Sequence, residues 1–275
     1  MADSILIPKS AIRILNHTMD INLLVLSVGN TRLAIGVFHS GELKHSSRVV
    51  LADRDSWAKE ITAAWRMLPE SGKPAIVGAS VNPDMDDPVE ELVLRLTNHV
   101  VQWVGEEIPI PMKVQTDEPS QTGADRVLNV AAAYDLMEKA CVVVDAGTAI
   151  TVDVCNDAGE FLGGAISPGV NVMLDALHEK TAKLPRLPFE RPTDTIGKST
   201  QQAILTGVYH GVRGMVKELL ELYAMDLGHW PDMIATGGDA KALFEGWELT
   251  HAVSPDLTLY GIALAYTKYA VAEES

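Results

Sequence analysis

The chain has 275 residues, 47% of them apolar but only 5% aromatic, and a formal charge of −15 at neutral pH. That acidity argues against nucleic-acid binding through a broad basic surface, and no apolar run approaches the ~20 residues that span a membrane. Two cysteines, and eight histidines without an HxH or HExxH cluster, argue against zinc and against an oxidising compartment.

Residues 1–21 include Pro8, Lys9 and Arg13, so they lack an unbroken signal-peptide core; they are expected to form a disordered extension, with an upstream start that the cell does not use as the alternative for residues 1–18. The protein is therefore expected in the cytoplasm. A strand–turn–strand hairpin is predicted over 22–38, followed by a turn at Ser40-Gly41 and a third strand, LKHSSRVVL. Trp57, Ile61, Ala64, Trp65 and Leu68 recur at helical spacing over 55–68. AIVGASV is predicted as a buried strand ending at Asn82-Pro83, with a helix, PVEELVLRLTNHV, and the strand VVQWVG after it. Residues 105–122 are rich in Pro and polar groups and are expected as a loop. TGADRVLNVAAAYDLMEKA is predicted as a helix, with Thr122 or Asp125 near its start. CVVVDAGTAITVDVC then forms a second hairpin, closed by the turn Asp157-Ala158-Gly159 and the strand FLGGAISPGV. A helix over about 170–180, a Pro-rich loop, a long helix over 200–224, the strand of MIATGGDA and a closing helix over 257–271 complete the chain.

The two hairpins repeat one pattern. VLSVGNTRLAIGVFHSGEL at 25–43 aligns without a gap on VVDAGTAITVDVCNDAGEF at 143–161, placing Gly29 on Gly147, Asn30 on Thr148 and Gly41 on Gly159. The chemically important mismatch is Ser27 opposite Asp145. The repeat suggests two similar half-domains facing each other across a cleft, with boundaries expected at 22–138 and 139–275. It also brings Cys141 and Cys155 near each other across the second hairpin, where buried free thiols are the expected state.

Four segments carry candidate chemistry. Gly29 lets a phosphate approach backbone N–H groups, with Asn30 and Thr31 as added donors, although an ordinary hairpin turn explains the same residues. Asp145 beside Gly147-Thr148 suits a cation held against phosphates; satisfying turn amides is the alternative. Asp125 can accept a proton from a substrate hydroxyl and Arg126 can bind an anion, or the pair is a helix cap with an exposed ion pair. Gly237-Gly238 permits flat packing of a base or ribose, or is a tight strand-to-helix turn. IGKST is not a P-loop, since the earlier Gly would fall at Pro192, and AISPG around Ser167 lacks the first Gly of a nucleophile elbow.

Together these residues resemble the type III pantothenate kinases, from about Leu23 to Tyr269. VGNTRLAIGVF is similar to the family's DxGNT phosphate motif, TGADRVLNVAAAYD to its GxDR helix and VVDAGTAITVD to its VDxGTAxTxD strand. FLGGAISPGV, TAKLP, IGKST and ATGGDA follow in the family's order. The resemblance implies an α/β chain of the acetate and sugar kinase/Hsp70/actin-like fold: two duplicated RNase H-like domains with a nucleotide cleft between them.

The resemblance also implies transfer of the ATP γ-phosphate to pantothenate, the first step of coenzyme A synthesis, in a homodimer. It implies Asp125 as general base and Asp145 as ligand of K⁺ or NH₄⁺, with Mg²⁺ accompanying ATP. ATP contacts would come from Ser27, Val28, Gly29, Asn30, Thr31, Arg32, Leu33, Ala34, Thr148, Gly237 and Gly238. Pantothenate contacts would come from Thr116, Gly123, Ala124, Asp125, Arg126 and Thr200. Two positions depart from the family pattern. Ser27 replaces the usual Asp, and a neutral hydroxyl binds a hard cation more weakly. Thr116 stands where many members carry a Tyr that packs on pantothenate. A non-catalytic nucleotide- or pantothenate-binding accessory protein and a phosphohydrolase on the same fold are the competing readings.

Overall fold

The computed structural model describes residues 5–6, 21–69 and 74–273. Apart from Ile5–Leu6 and Ile21, the expected N-terminal extension lies outside them. In chain order the strands and helices are β1 (Ile5–Leu6), β2 (Leu23–Val28), β3 (Arg32–His39), β4 (Glu42–Val50), α1 (Arg54–Trp65), β5 (Ala75–Ser80), α2 (Asp86–Thr97), β6 (Val101–Trp103), β7 (Lys113–Val114) and α3 (Ala124–Met137). There follow β8 (Cys141–Ala146), β9 (Ala149–Cys155), β10 (Glu160–Pro168), α4 (Val170–Glu179), α5 (Thr200–Leu227), β11 (Asp232–Thr236), α6 (Ala240–Phe244), β12 (Ala252–Val253) and α7 (Leu257–Glu273).

Among the described residues these elements form two compact units, one of 21–69, 74–136 and 256–273, the other of 5–6 and 137–255. In the first, the sheet order is β4-β3-β2-β5-β6, with β2, β3 and β4 antiparallel and β5 and β6 added parallel. In the second, the order β10-β9-β8-β11-β12 repeats that plan, and β1 extends it beyond β12. The duplicated hairpins thus nucleate duplicated sheets.

Alternation along the first hairpin builds the first core. Leu24, Leu26 and Val28 on β2 and Leu33, Ile35 and Val37 on β3 share one face with Trp57 and Ile61 of α1 and Val89 and Val93 of α2. Asp53 starts α1 by accepting the Ser56 N–H at 3.3 Å, and Asn98 ends α2 in the left-handed conformation, φ 58°. The second core follows the same logic, with Val142, Val144, Ala146, Ile150, Val152 and Val154 packed with Leu174 of α4 and Val208, Val212 and Val216 of α5. Ser199 caps α5 by accepting the Gln202 N–H at 3.2 Å, and Gly228 ends it at φ 79°.

The closing helix departs from the expected boundary, which gave it to the second domain. α7 belongs to the first unit, where it packs on β2, β3 and β5. It buries Leu257, Leu259, Tyr260, Ile262, Ala263 and Leu264, with Tyr260 edge-on to Phe38 at 5.5 Å. Its leading Asp256, 5% exposed, accepts from Arg48 Nη2 at 2.9 Å and Ser46 Oγ at 3.1 Å. A helix apolar on nearly every side needs a sheet on one face and a helix on another, and α3 supplies the second. Thr258 Oγ1 donates to Asn129 Oδ1 at 2.8 Å, and Gly261 lies so close to the Leu128 backbone that a Cβ has no room.

Register reveals what the ungapped alignment hides. In the first hairpin Val28 pairs with Leu33 and Ser27 with Ala34. In the second, Ala146 pairs with Ile150 and Asp145 with Thr151. The second turn is one residue shorter, so β9 is slipped by one relative to β3 and presents the opposite set of positions to the core. Ile150, Val152 and Val154 are inward there, aligned with Arg32, Ala34 and Gly36 of the first copy.

Candidate active site

In the second unit, β8 delivers Asp145 to the end of a buried strand, and the chain reverses through Gly147-Thr148. The turn is closed by the Gly147 N–H donating to Ala149 O at 2.9 Å. Two other turns press on it. The Gly169 N–H donates to Thr148 O at 2.9 Å, and a Cβ on Gly169 would lie 2.5 Å from that same oxygen. On the other side, Gly237 follows β11 at φ 95°, and a Cβ there would strike Asp145 Oδ1 and lie 2.5 Å from Ala146 O. The Asp239 N–H donates to Ala146 O at 3.0 Å, and Asn171 Nδ2 reaches Asp239 Oδ2 at 3.3 Å.

Asp145, Gly147, Thr148 and Gly237 therefore converge on one spot, where Thr148 is exposed and Asp145 half-buried. A Cβ at Gly169 or Gly237 would overlap this turn. Sequence reasoning missed Gly169, Asn171 and Asp239 as part of this turn cluster; the Pro168-Gly169 step into a helix was the available signal. Thr200 is the exposed first residue of α5. Lys198 and Ser199 open that helix after an irregular segment rather than a strand, which agrees with the absence of a P-loop.

In the first unit, the Gly29 N–H donates to Arg32 O at 3.0 Å, closing a turn whose Asn30, Thr31 and Arg32 are exposed. Val28 and Leu33, by contrast, have side chains fully in the core, so they offer a ligand only backbone groups. Ser27 and Ala34 are half-buried and paired across the ladder. The same unit carries Asp125 in the first turn of α3. Its Oδ1 accepts the Arg126 N–H at 2.8 Å, and Gly123 lies close enough that a Cβ would stand 2.9 Å from Oδ1. Burial pushes the Asp125 carboxyl above the ordinary carboxylate range; the Arg126 N–H bond and then the Arg126 charge oppose that rise. Thr116 Oγ1 and Thr122 Oγ1 are 2.9 Å apart, tying the loop before Asp125 to itself. That loop is not wholly irregular, since it contains β7 and a 3₁₀ turn at Pro119–Gln121.

The donors around Asp145 are carboxylate, hydroxyl and carbonyl oxygens, which suit a hard monovalent cation rather than zinc. Among the described residues no group of three or more His, Cys, Asp or Glu forms a metal cage.

Two α/β units of the same strand order, each presenting a Gly turn at the end of its first hairpin, define a chain of the acetate and sugar kinase/Hsp70/actin-like fold. Solved structures agree. A Baf family protein from Campylobacter jejuni superposes with a TM-score of 0.60 at 20% identity, covering 90% of this chain and 99% of that one. Component A of the (R)-2-hydroxyglutaryl-CoA dehydratase of Acidaminococcus fermentans gives 0.55 at 17% identity, covering 91% and 99%. Sequence relatives are narrower in kind. The type III pantothenate kinase of Dehalococcoides mccartyi strain 195 is 35% identical over 90% of this chain and 98% of its own. That of Moorella thermoacetica is 34% identical over 90% and 99%. The family pattern described as type III pantothenate kinase matches residues 23–222. The chain belongs to the type III pantothenate kinase family.

Proposed function

We propose that this kinase transfers the γ-phosphoryl group of ATP to the primary hydroxyl of pantothenate, giving 4'-phosphopantothenate for coenzyme A synthesis. Family membership supports the reaction, and the observation that carries the residue assignment is Asp125. It is a half-buried carboxylate at a helix start, with raised proton affinity and an arginine beside it. Phosphoryl transfer needs little covalent help, so positioning and charge neutralisation supply most of the rate. Asp125 orients the attacking hydroxyl and takes its proton as transfer completes. Arg126 holds the pantothenate carboxylate or an amide, with Thr116, Gly123, Ala124 and Thr200 completing that subsite.

The backbone from Ser27 to Ala34 and the Gly147-Thr148 turn cradle phosphate oxygens, and Gly237-Gly238 accept the nucleoside. Asp145 holds K⁺ or NH₄⁺, which offsets charge developing on the phosphates, as does the Mg²⁺ that travels with ATP. The working form is a cytoplasmic homodimer. Support for pairing comes from apolar side chains left exposed on the second unit: Leu162 and Ile166 of β10, Val172 and Leu177 of α4, and Ile196 beyond it. Among the described residues no helix is long and apolar enough to cross a membrane.

The test is ADP release from ATP, Mg²⁺ and K⁺, with and without pantothenate. Pantothenate-dependent turnover, faster in K⁺ than in Na⁺, is expected. Release regardless of pantothenate would mark a phosphohydrolase, and binding without turnover an accessory protein. Indifference to the cation would remove the Asp145 assignment.

A further inference from the structure

The chain has two cysteines, and the fold sets them face to face. Cys141 is the first residue of β8 and Cys155 the last of β9, and they are direct partners in the antiparallel ladder. Both are free and fully buried, with Sγ atoms 3.4 Å apart. Directly opposed residues in an antiparallel pair have Cα atoms about 4.5 or about 5.5 Å apart, depending on the pair type. Either value falls within the roughly 4.4–6.8 Å that a disulfide spans. The two sulfurs can thus reach the ~2.0 Å of an S–S bond by side-chain rotation, without moving a strand.

We propose that Cys141 and Cys155 are a reversible disulfide-forming site, oxidised by hydrogen peroxide, that staples the hairpin carrying Asp145 and the Gly147-Thr148 turn. One of the two thiolates attacks one peroxide oxygen; the O–O bond breaks, and the leaving oxygen takes a proton to become water. The resulting sulfenic acid is attacked at sulfur by the other thiolate, which forms the S–S bond and expels the second oxygen; that oxygen takes a proton and leaves as water. Two thiols are oxidised by two electrons in all, and one peroxide is reduced to two waters.

Either sulfur can donate in the S–H···S contact, so whichever thiol loses its proton first is stabilised as a thiolate by the other.

Access comes from position. The pair is the terminal rung of its ladder, where strands open first. One side chain latches that end: Asp157 Oδ1 accepts the Ala140 N–H at 2.9 Å, and Asp157 Oδ2 meets His229 Nε2 at 2.9 Å. The same face runs on from the thiols through Val143 and Asp153 to Asp145 and Thr151. A covalent bond at one end of this ladder therefore limits fraying of the strands that hold the turn at the other.

The experiment treats the full-length protein with hydrogen peroxide, then unfolds it in a thiol-alkylating reagent and measures intact mass. The expected result is a monomeric chain with no alkylated cysteine, against two in the reduced sample, and recovery of both with dithiothreitol. Non-reducing peptide mapping should link the peptides holding residues 141 and 155. Amide hydrogen exchange across 141–155 should slow on oxidation, and a Cys155→Ala variant should show neither linkage nor slowing. Two thiols still alkylated, oxygen added to one sulfur without a crosslink, or a crosslink between chains would each overturn the proposal.

Discussion

Asp125 sits where burial favours its neutral form, and this has consequences for both stability and rate. Its folded-state proton affinity is raised, so the folded protein binds that proton more tightly than the unfolded chain. Stability therefore falls as pH rises from the ordinary carboxylate range through the raised folded value. Asp125→Asn should lose at least ~10²-fold in pantothenate-dependent turnover while retaining ATP binding. It should also melt higher than wild type at about pH 7, with the gap closing towards about pH 3; paired thermal melts check this. Ser27 calls for the opposite substitution. It lies opposite Ala34 on one side and Ala79 on the other, small neighbours that leave room for a carboxylate. Ser27→Asp should raise kcat/KM about tenfold, equivalent to about 1.4 kcal/mol of barrier, in a Mg²⁺ titration. No gain would mean that another group already neutralises the phosphates.

At the scale of elements, α7 is held by a polar clip as well as by its apolar faces. Asp256 is almost fully buried and accepts from Arg48 and Ser46 of β4. Arg48→Ala would remove the charged partner of that carboxylate while Ser46 Oγ still donates to it. Arg48 is itself about a third exposed, at 34%, so water offsets part of the loss and the expected cost is about 2 kcal/mol. A lower urea midpoint with an unchanged slope would show it. The hairpins make a second point at this scale. Their strands were legible as short apolar runs, and both turns were placed by Gly29 and Gly147. The one-residue difference in turn length was not legible. Gly29 closes on Arg32 and Gly147 on Ala149, and such a slip leaves an ungapped alignment intact while exchanging the two faces of β9. The small elements β7 and β12 also escaped, being too short to show a period.

For the whole molecule, the return of α7 makes the first unit two separate stretches of the described chain, and β1 does the same for the second. A fragment ending at residue 138 keeps β2–β6 but exposes the face that Leu259, Tyr260 and Ile262 cover. It should not unfold cooperatively in urea. Joining residues 256–273 to that fragment by a linker should restore a cooperative transition; failure to do so would show that α7 is not part of the first unit's folding core.

The sequence by itself determined the duplicated α/β plan, the family and the residue types at each Gly turn, because periodicity and turn chemistry are local and were written twice. Only the tertiary structure decided the register of β9, the unit to which α7 belongs and the packing of Gly169 and Gly237 on the Asp145 turn. It also set the two thiols as direct partners. Each of these depends on residues far apart in the chain meeting at a fixed distance, and no local pattern encodes that distance.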